Sequence, residues 1–194
     1  MIQPFNVCQG PATVYWSLFG ATEPAGSAIT APPNPAIWTD VGGIADGTSV
    51  LLEIDLTYTD QGVAQLVDPI GARLTKRVIQ LTAALEEATL QNINLAQNQL
   101  TTISPQSGFT QLSPVTASSA TQPTYTALII DGWAPTTGLV EPSARRRIIL
   151  RKALSSSKVD LEYEKTKPNV LNTTWTGYWV SGTVPPYDIY DQTA

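Results

Sequence analysis

Two stretches of period-two patterning govern what this chain can fold into. In residues 49–59 (SVLLEIDLTYT), Val50, Leu52, Ile54, Leu56 and Tyr58 fall on one side, and Glu53, Asp55, Thr57 and Thr59 on the other. In residues 73–85 (RLTKRVIQLTAAL), Ile79, Leu81, Ala83 and Leu85 share one side, while Lys76, Val78, Gln80 and Thr82 share the other. A helix would scatter each set around its axis, whereas a strand sends alternate side chains to opposite faces. Both stretches therefore read as strands with a core face and a face turned to water or to a neighbour.

The rest of the chain follows the same grammar. Residues 13–19 (TVYWSLF) and 125–134 (YTALIIDGWA) are rich in β-branched and aromatic types and read as strands, as does 174–183 near the end. At Glu86 the period lengthens. Leu85, Ala88, Thr89, Ile93, Ala96 and Leu100 fall at helical spacing, predicting a helix over 86–98 with Glu86 and Glu87 at its positive end. Residues 145–152 and 158–165 alternate with opposite charge, which predicts a hairpin. Its register sets Arg151 against Asp160 and Arg147 against Glu164 on an exposed face. Three segments remain as connections: a Pro-rich arm at 20–36, a nearly uncharged loop at 60–72 and a Ser/Thr-rich loop at 101–123. The sum is a single mainly β domain over 1–194, a β-sandwich or barrel-like fold of six or seven strands with one α-helix packed on a sheet.

Composition narrows function more than fold. Histidine is absent and Cys8 is the lone cysteine, so disulfide frameworks, Cys/His zinc sites and Ser-His-Asp or Cys-His nucleophile systems are out of reach. Neither a G-x-x-x-x-G-K phosphate loop nor G-x-S-x-G occurs. Glu53 and Asp55 on one strand face read more simply as solvated carboxylates than as a catalytic pair. No catalytic residue, cofactor or metal is expected. Nothing approaches 18 consecutive apolar residues, so no membrane span is expected either.

Charge is scarce and unevenly spread. Charged residues make up 14% of the chain, against about 25% in ordinary soluble domains, which suits a surface that packs against its own copies. Residues 1–72 carry seven acids and no Lys or Arg, while all 11 basic residues lie in 73–167. The net charge of −5 argues against a protein that grips nucleic acid, because phosphate binding needs a basic footprint.

The stretch Trp38-Thr39-Asp40-Val41-Gly42-Gly43-Ile44-Ala45-Asp46-Gly47 resembles the turn before the first inner strand of the major tail (tail tube) proteins of long-tailed bacteriophages. Asp68-Pro69-Ile70-Gly71-Ala72-Arg73 is similar to the loop before their next strand, and Leu85-Glu86-Glu87-Ala88-Thr89-Leu90-Gln91-Asn92 to their strand-to-helix corner. Ala127 to Pro135 and Arg145 to Ala153 look like the late strand pair. These features cover about residues 38–180 in family order. The resemblance implies a structural virion protein forming stacked hexameric rings, a tube around a tape-measure protein with a tail terminator at its end. It also implies that double-stranded DNA passes through without specific binding. The subunit would be made in the host cytoplasm and end in the phage tail. Glu53, Asp55, Thr57, Gln80 and Thr82 are then expected to face the lumen, with Lys76 as an exception on the same strand face. Asp60, Gln61, Gln65, Asp68 and Arg73 are expected at contacts between rings. The competing readings are a carbohydrate-binding sandwich module, for which the five tryptophans would form the platform, and another virion part such as a tail terminator.

Overall fold

The computed structural model describes residues 10–62, 67–115, 122–135, 144–166 and 168–192. The strands are β1 (Thr13–Leu18), β2 (Thr39–Asp40), β3 (Leu51–Gln61), β4 (Gly71–Leu85), β5 (Thr101–Gln106), β6 (Phe109–Pro114), β7 (Thr126–Trp133), β8 (Arg145–Ser155), β9 (Leu171–Gly177) and β10 (Tyr187–Asp191). One helix, α1 (Leu90–Ala96), follows β4, and a short 3-10 turn spans Gly26–Ala28. The fold is mainly β, antiparallel throughout its named pairs, with the helix packed against the sheets in a sandwich-like arrangement.

The main sheet runs in the order β2-β1-β7-β8-β9-β4-β3, with β10 pairing on β8. Strand β8 makes the turn from one half of the sandwich to the other. Its first half lies against β10 through Ile148↔Ile189, and its last residues lie against β9 through Leu154↔Thr176. Between the halves sits the main core, with Leu81, Leu85, Leu128, Leu150, Leu171 and Trp175 at its centre.

Ala127–Ile130 of β7 and Ile148–Leu150 of β8 are apolar in unbroken runs because the sheet is covered on both sides there. Leu128, Ile130 and Leu150 point into the main core, while Ala127, Ile129 and Ile149 join Trp38 in a second cluster on the other face. That second face is roofed by the Pro-rich arm. Trp38 Nε1 donates to the Thr22 carbonyl, and Arg147 donates to the carbonyls of Ala28 and Ala31.

Helix α1 is shorter than the predicted 86–98. Thr89 caps it, its hydroxyl accepting from the Asn92 amide, so Glu86 and Glu87 lie before the first turn. Glu87 instead accepts from the Gly43 amide, tying the Gly42–Gly43 turn to the helix entry. Gly42 has φ +86°, and a Cβ there would meet the Glu87 carboxylate at 2.3 Å, so the turn needs a glycine.

Two predicted connections contain strands. The loop expected at 101–123 begins as the hairpin β5–β6, closed at Gly108 with φ +84°. The loop expected at 60–72 is strand at both its ends, since β3 continues to Gln61 and β4 begins at Gly71. The arm at 20–36 has no strand and one 3-10 turn.

Candidate assembly surface

The hairpin of β3 and β4 is exposed along most of its described length. Its register places Leu52 opposite Leu81, Ile54 opposite Ile79 and Leu56 opposite Arg77 on one face. On the other face Leu51 lies opposite Thr82, Glu53 opposite Gln80 and Thr57 opposite Lys76. A bulge after Thr57 inserts Thr75, whose hydroxyl donates to the Thr57 carbonyl and accepts from the Thr59 hydroxyl. Such an insertion bends the ribbon and increases its twist.

Strand β9 accompanies β4 only along Gln80–Leu85. From Gly71 to Ile79, β4 has β3 on one side and, among the described residues, no strand on the other. That overhang is about 30 Å long at the usual strand rise. Among the described residues β3 is the last strand of the sheet, with no strand on its outer edge either. Edges of this length are templates for another chain unless something blocks or covers them.

The core face of the hairpin also outruns the core. Sequence patterning places Leu56 and Tyr58 with Leu52 and Ile54, and they share that face, yet they are 40% and 56% exposed. Leu74, opposite Tyr58, is 39% exposed, and Ile70 and Val67 at the tip are more so. Only the base of the ribbon, through Ile79 and Leu81, reaches the interior.

The residues expected at a lumen are brought together. Glu53, Asp55, Thr57, Gln80 and Thr82 occupy one face of the β3–β4 pair, Gln80 half-buried and the rest exposed. Thr82 hydrogen bonds to Thr174 on β9, extending that hydroxyl-rich face across three strands. Asp60, Gln61, Asp68 and Arg73 gather at the hairpin's end, where Asp60 lies opposite Ala72 and Thr59 opposite Arg73. Gln65 lies outside the described residues.

The predicted cross-strand ion pairs are not formed. Residues 158–165 carry no strand, and β8 pairs with β7, β9 and β10 instead. Arg147 makes a bidentate pair with Asp131, its register partner on β7, at 2.6 Å per contact. Arg151 grips Glu23 with both ends of its fork and also reaches Asp188. Asp160 instead pairs with Lys158 on the surface. The charge alternation was real but the face was misread, because Arg147 and Arg151 point under the arm rather than into water. Arg147 has a side chain only 1% exposed.

These pairs set the local electrostatics. The hydrogen bonds that Arg151 donates to Glu23 raise its pKa further, against the opposing effect of burial. The hydrogen bond from Arg146 holds Asp191 below the usual aspartate range. Burial pushes the Tyr190 hydroxyl upward, helped by its bond to Asp188.

Sequence reading missed the arm clamp and the exposed Leu56–Tyr58–Leu74 face. The clamp had a faint signal, since Arg147 and Arg151 fall on the same strand face as apolar Ile149. Asn92 was also missed as an organiser: buried, it donates to the Val41 and Glu87 carbonyls and fixes the helix entry to the turn before β3. Among the described residues, no helix is long and apolar enough to cross a membrane. Neither a protein-family model nor a curated protein matches the chain.

Proposed function

We propose that this chain is a structural virion subunit that self-assembles into stacked hexameric rings forming the tail tube of a long-tailed bacteriophage. The observation that carries the reading is the β3–β4 hairpin, a ribbon with two free edges and an exposed apolar face that a lone subunit leaves uncovered. Pairing between copies removes that liability, and closed symmetric rings do so without leaving an end. Glu53, Asp55, Thr57, Gln80 and Thr82 then line the lumen, where acidic and hydroxyl side chains let DNA phosphates slide past without being held. Gln61, Gln65 and Asp68 contact the neighbouring ring, with Asp60 and Arg73 at the same end of the hairpin. The chain catalyses nothing, requires no cofactor, and works with a tape-measure protein, a tail terminator and DNA in transit.

The carbohydrate-binding alternative draws less support. Of the five tryptophans only Trp179 is exposed, at 72%, while Trp38 and Trp175 are buried and Trp16 and Trp133 half-buried. A stacking platform for sugar rings needs several aromatic faces presented together.

Negative-stain electron microscopy over a concentration series, with and without a tape-measure protein, tests the proposal. Rings or tubes of uniform diameter are the expected result. A monomer persisting at high concentration with the tape measure present would overturn it.

A further inference from the structure

The hairpin that carries the proposed assembly has a charge pattern that its own fold does not use. Strand β3 carries three acids, Glu53, Asp55 and Asp60, and no base. The overhanging part of β4 carries three bases, Arg73, Lys76 and Arg77, and no acid. All six side chains are exposed. Register sets none of the acids directly opposite a base: Asp55 faces Val78, Lys76 faces Thr57, Arg77 faces Leu56 and Arg73 faces Thr59. None of the six makes a salt bridge within the described residues, whereas Arg146, Arg147 and Arg151 of β8 are each paired with a carboxylate.

The charges are also matched by face. Glu53 and Asp55 point to the same side as Lys76 and Arg73, and Asp60 to the same side as Arg77. The two free edges of one ribbon are therefore complementary to each other, two acids to two bases on one face and one to one on the other. Within a single subunit they lie back to back and cannot meet across a free edge. A second copy brings them together.

Resting on the tube reading, we infer that β3 of one subunit pairs edge to edge with the overhang of β4 in the next copy, and that the acid-on-β3, base-on-β4 division dictates that polarity. Two β3 edges meeting face acid with acid, and two β4 edges face base with base. Like charges directly opposite on a sheet are destabilising, so two-fold symmetric pairing through either edge is disfavoured. Head-to-tail pairing is the arrangement left, and it propagates around a ring rather than stopping at a dimer. It also keeps the strands antiparallel, because rotation about a ring axis preserves strand direction while β3 and β4 run oppositely. Lys76 and Arg73, the two bases on the face that carries Glu53 and Asp55, are then neutralised by acids of the neighbouring copy.

Charge exchange tests this directly. One full-length variant carries Glu53→Lys, Asp55→Lys and Asp60→Lys, and a second carries Arg73→Glu, Lys76→Glu and Arg77→Glu. The six positions are solvent-exposed, so both variants are expected to keep the circular dichroism spectrum and melting temperature of the unmodified chain. Association is read by sedimentation velocity at low salt and by electron microscopy. Each variant alone should need at least tenfold more protein to associate, an equimolar mixture should return to the unmodified range, and the sixfold variant should associate alone. Molar salt should weaken association of the mixture, as expected for exposed charges. Folded variants that associate alone as readily as the unmodified chain, or whose mixture associates no better than either, overturn the inference. The mixture reports on pairing even where only dimers form, whereas the absence of rings from the unmodified chain with a tape measure counts against the tube reading.

Discussion

Arg147 is the residue on which the outer layer depends. Its guanidinium is almost sealed from water, paired with Asp131, and holds the arm through two backbone carbonyls. Removing one partner of such a pair leaves a buried charge uncompensated. Asp131→Ala is expected to cost about 3–5 kcal/mol in denaturant unfolding. Arg147→Met combined with Asp131→Leu is expected to cost less than Asp131→Ala alone, because no charge is stranded. A smaller loss in the single variant would mean that the carbonyls suffice. Asp191 lies nearer the surface, its side chain 41% exposed. Arg146 lowers its pKa in the folded state, so the pair contributes stability above the ordinary aspartate pKa, and that contribution is lost as pH falls through the depressed value. Asp191→Asn should therefore flatten the acid limb of a melting-temperature profile below about pH 4 and leave the alkaline limb unchanged.

At the scale of elements, what the sequence made legible was set by how many faces each element buries. Strands β3 and β4 declared themselves because one face is wet and the other dry at their base, which writes alternation into the residues. The strand expected at 174–183 lies instead at Leu171–Gly177 and shares only 174–177 with that expectation. Strand β8 alternates too, but its polar set is Arg147 and Arg151, and polarity alone does not distinguish a solvated face from one buried under salt bridges. That ambiguity produced the false hairpin with 158–165, where Leu161 and Tyr163 are exposed despite their spacing. The arm and β5–β6 were hidden for another reason. Their Pro, Ser and Thr content reads as loop, and although β5–β6 is a local hairpin, the contacts that fix the arm are distant in sequence, such as Arg151 with Glu23. The proposed lumen set was legible through its shared strand face, while the apolar overhang was not, because alternation does not report where the core ends. Gly177 shows the same limit. It ends β9 where β4 and β8 converge, and a Cβ there would meet Leu150 Cδ1 at 2.9 Å and Ile79 Cβ at 3.2 Å. Gly177→Ala is expected to destabilise the fold by about 1–3 kcal/mol through overpacking, measured by urea unfolding. A neutral effect would show that Leu150 can move aside.

For the whole molecule, the decisive quantity is the difference between what one copy buries and what its patterning prepares for burial. Leu56, Tyr58 and Leu74 continue the core face of the hairpin past the last residues of the core, so their apolar character contributes little to the fold of a single subunit. Their contribution should appear on association instead, where apolar area removed from water gives roughly 25 cal/mol per Å². Replacing all three with Ser separates the two roles. Exposed substitutions of this kind generally shift stability by about 0.5 kcal/mol or less each, so the monomer should unfold at nearly the same urea concentration. Ring or tube formation, followed by electron microscopy and sedimentation, should require at least tenfold more protein, the equivalent of about 1.4 kcal/mol. Charge exchange on the same hairpin alters which edge meets which, whereas loss of the apolar face weakens the contact without changing its polarity. The triple Ser variant should therefore still be incorporated into mixed assemblies with the unmodified chain, as a minority component. Loss of monomer stability with unchanged assembly would place the apolar face inside the subunit and remove it from the interface.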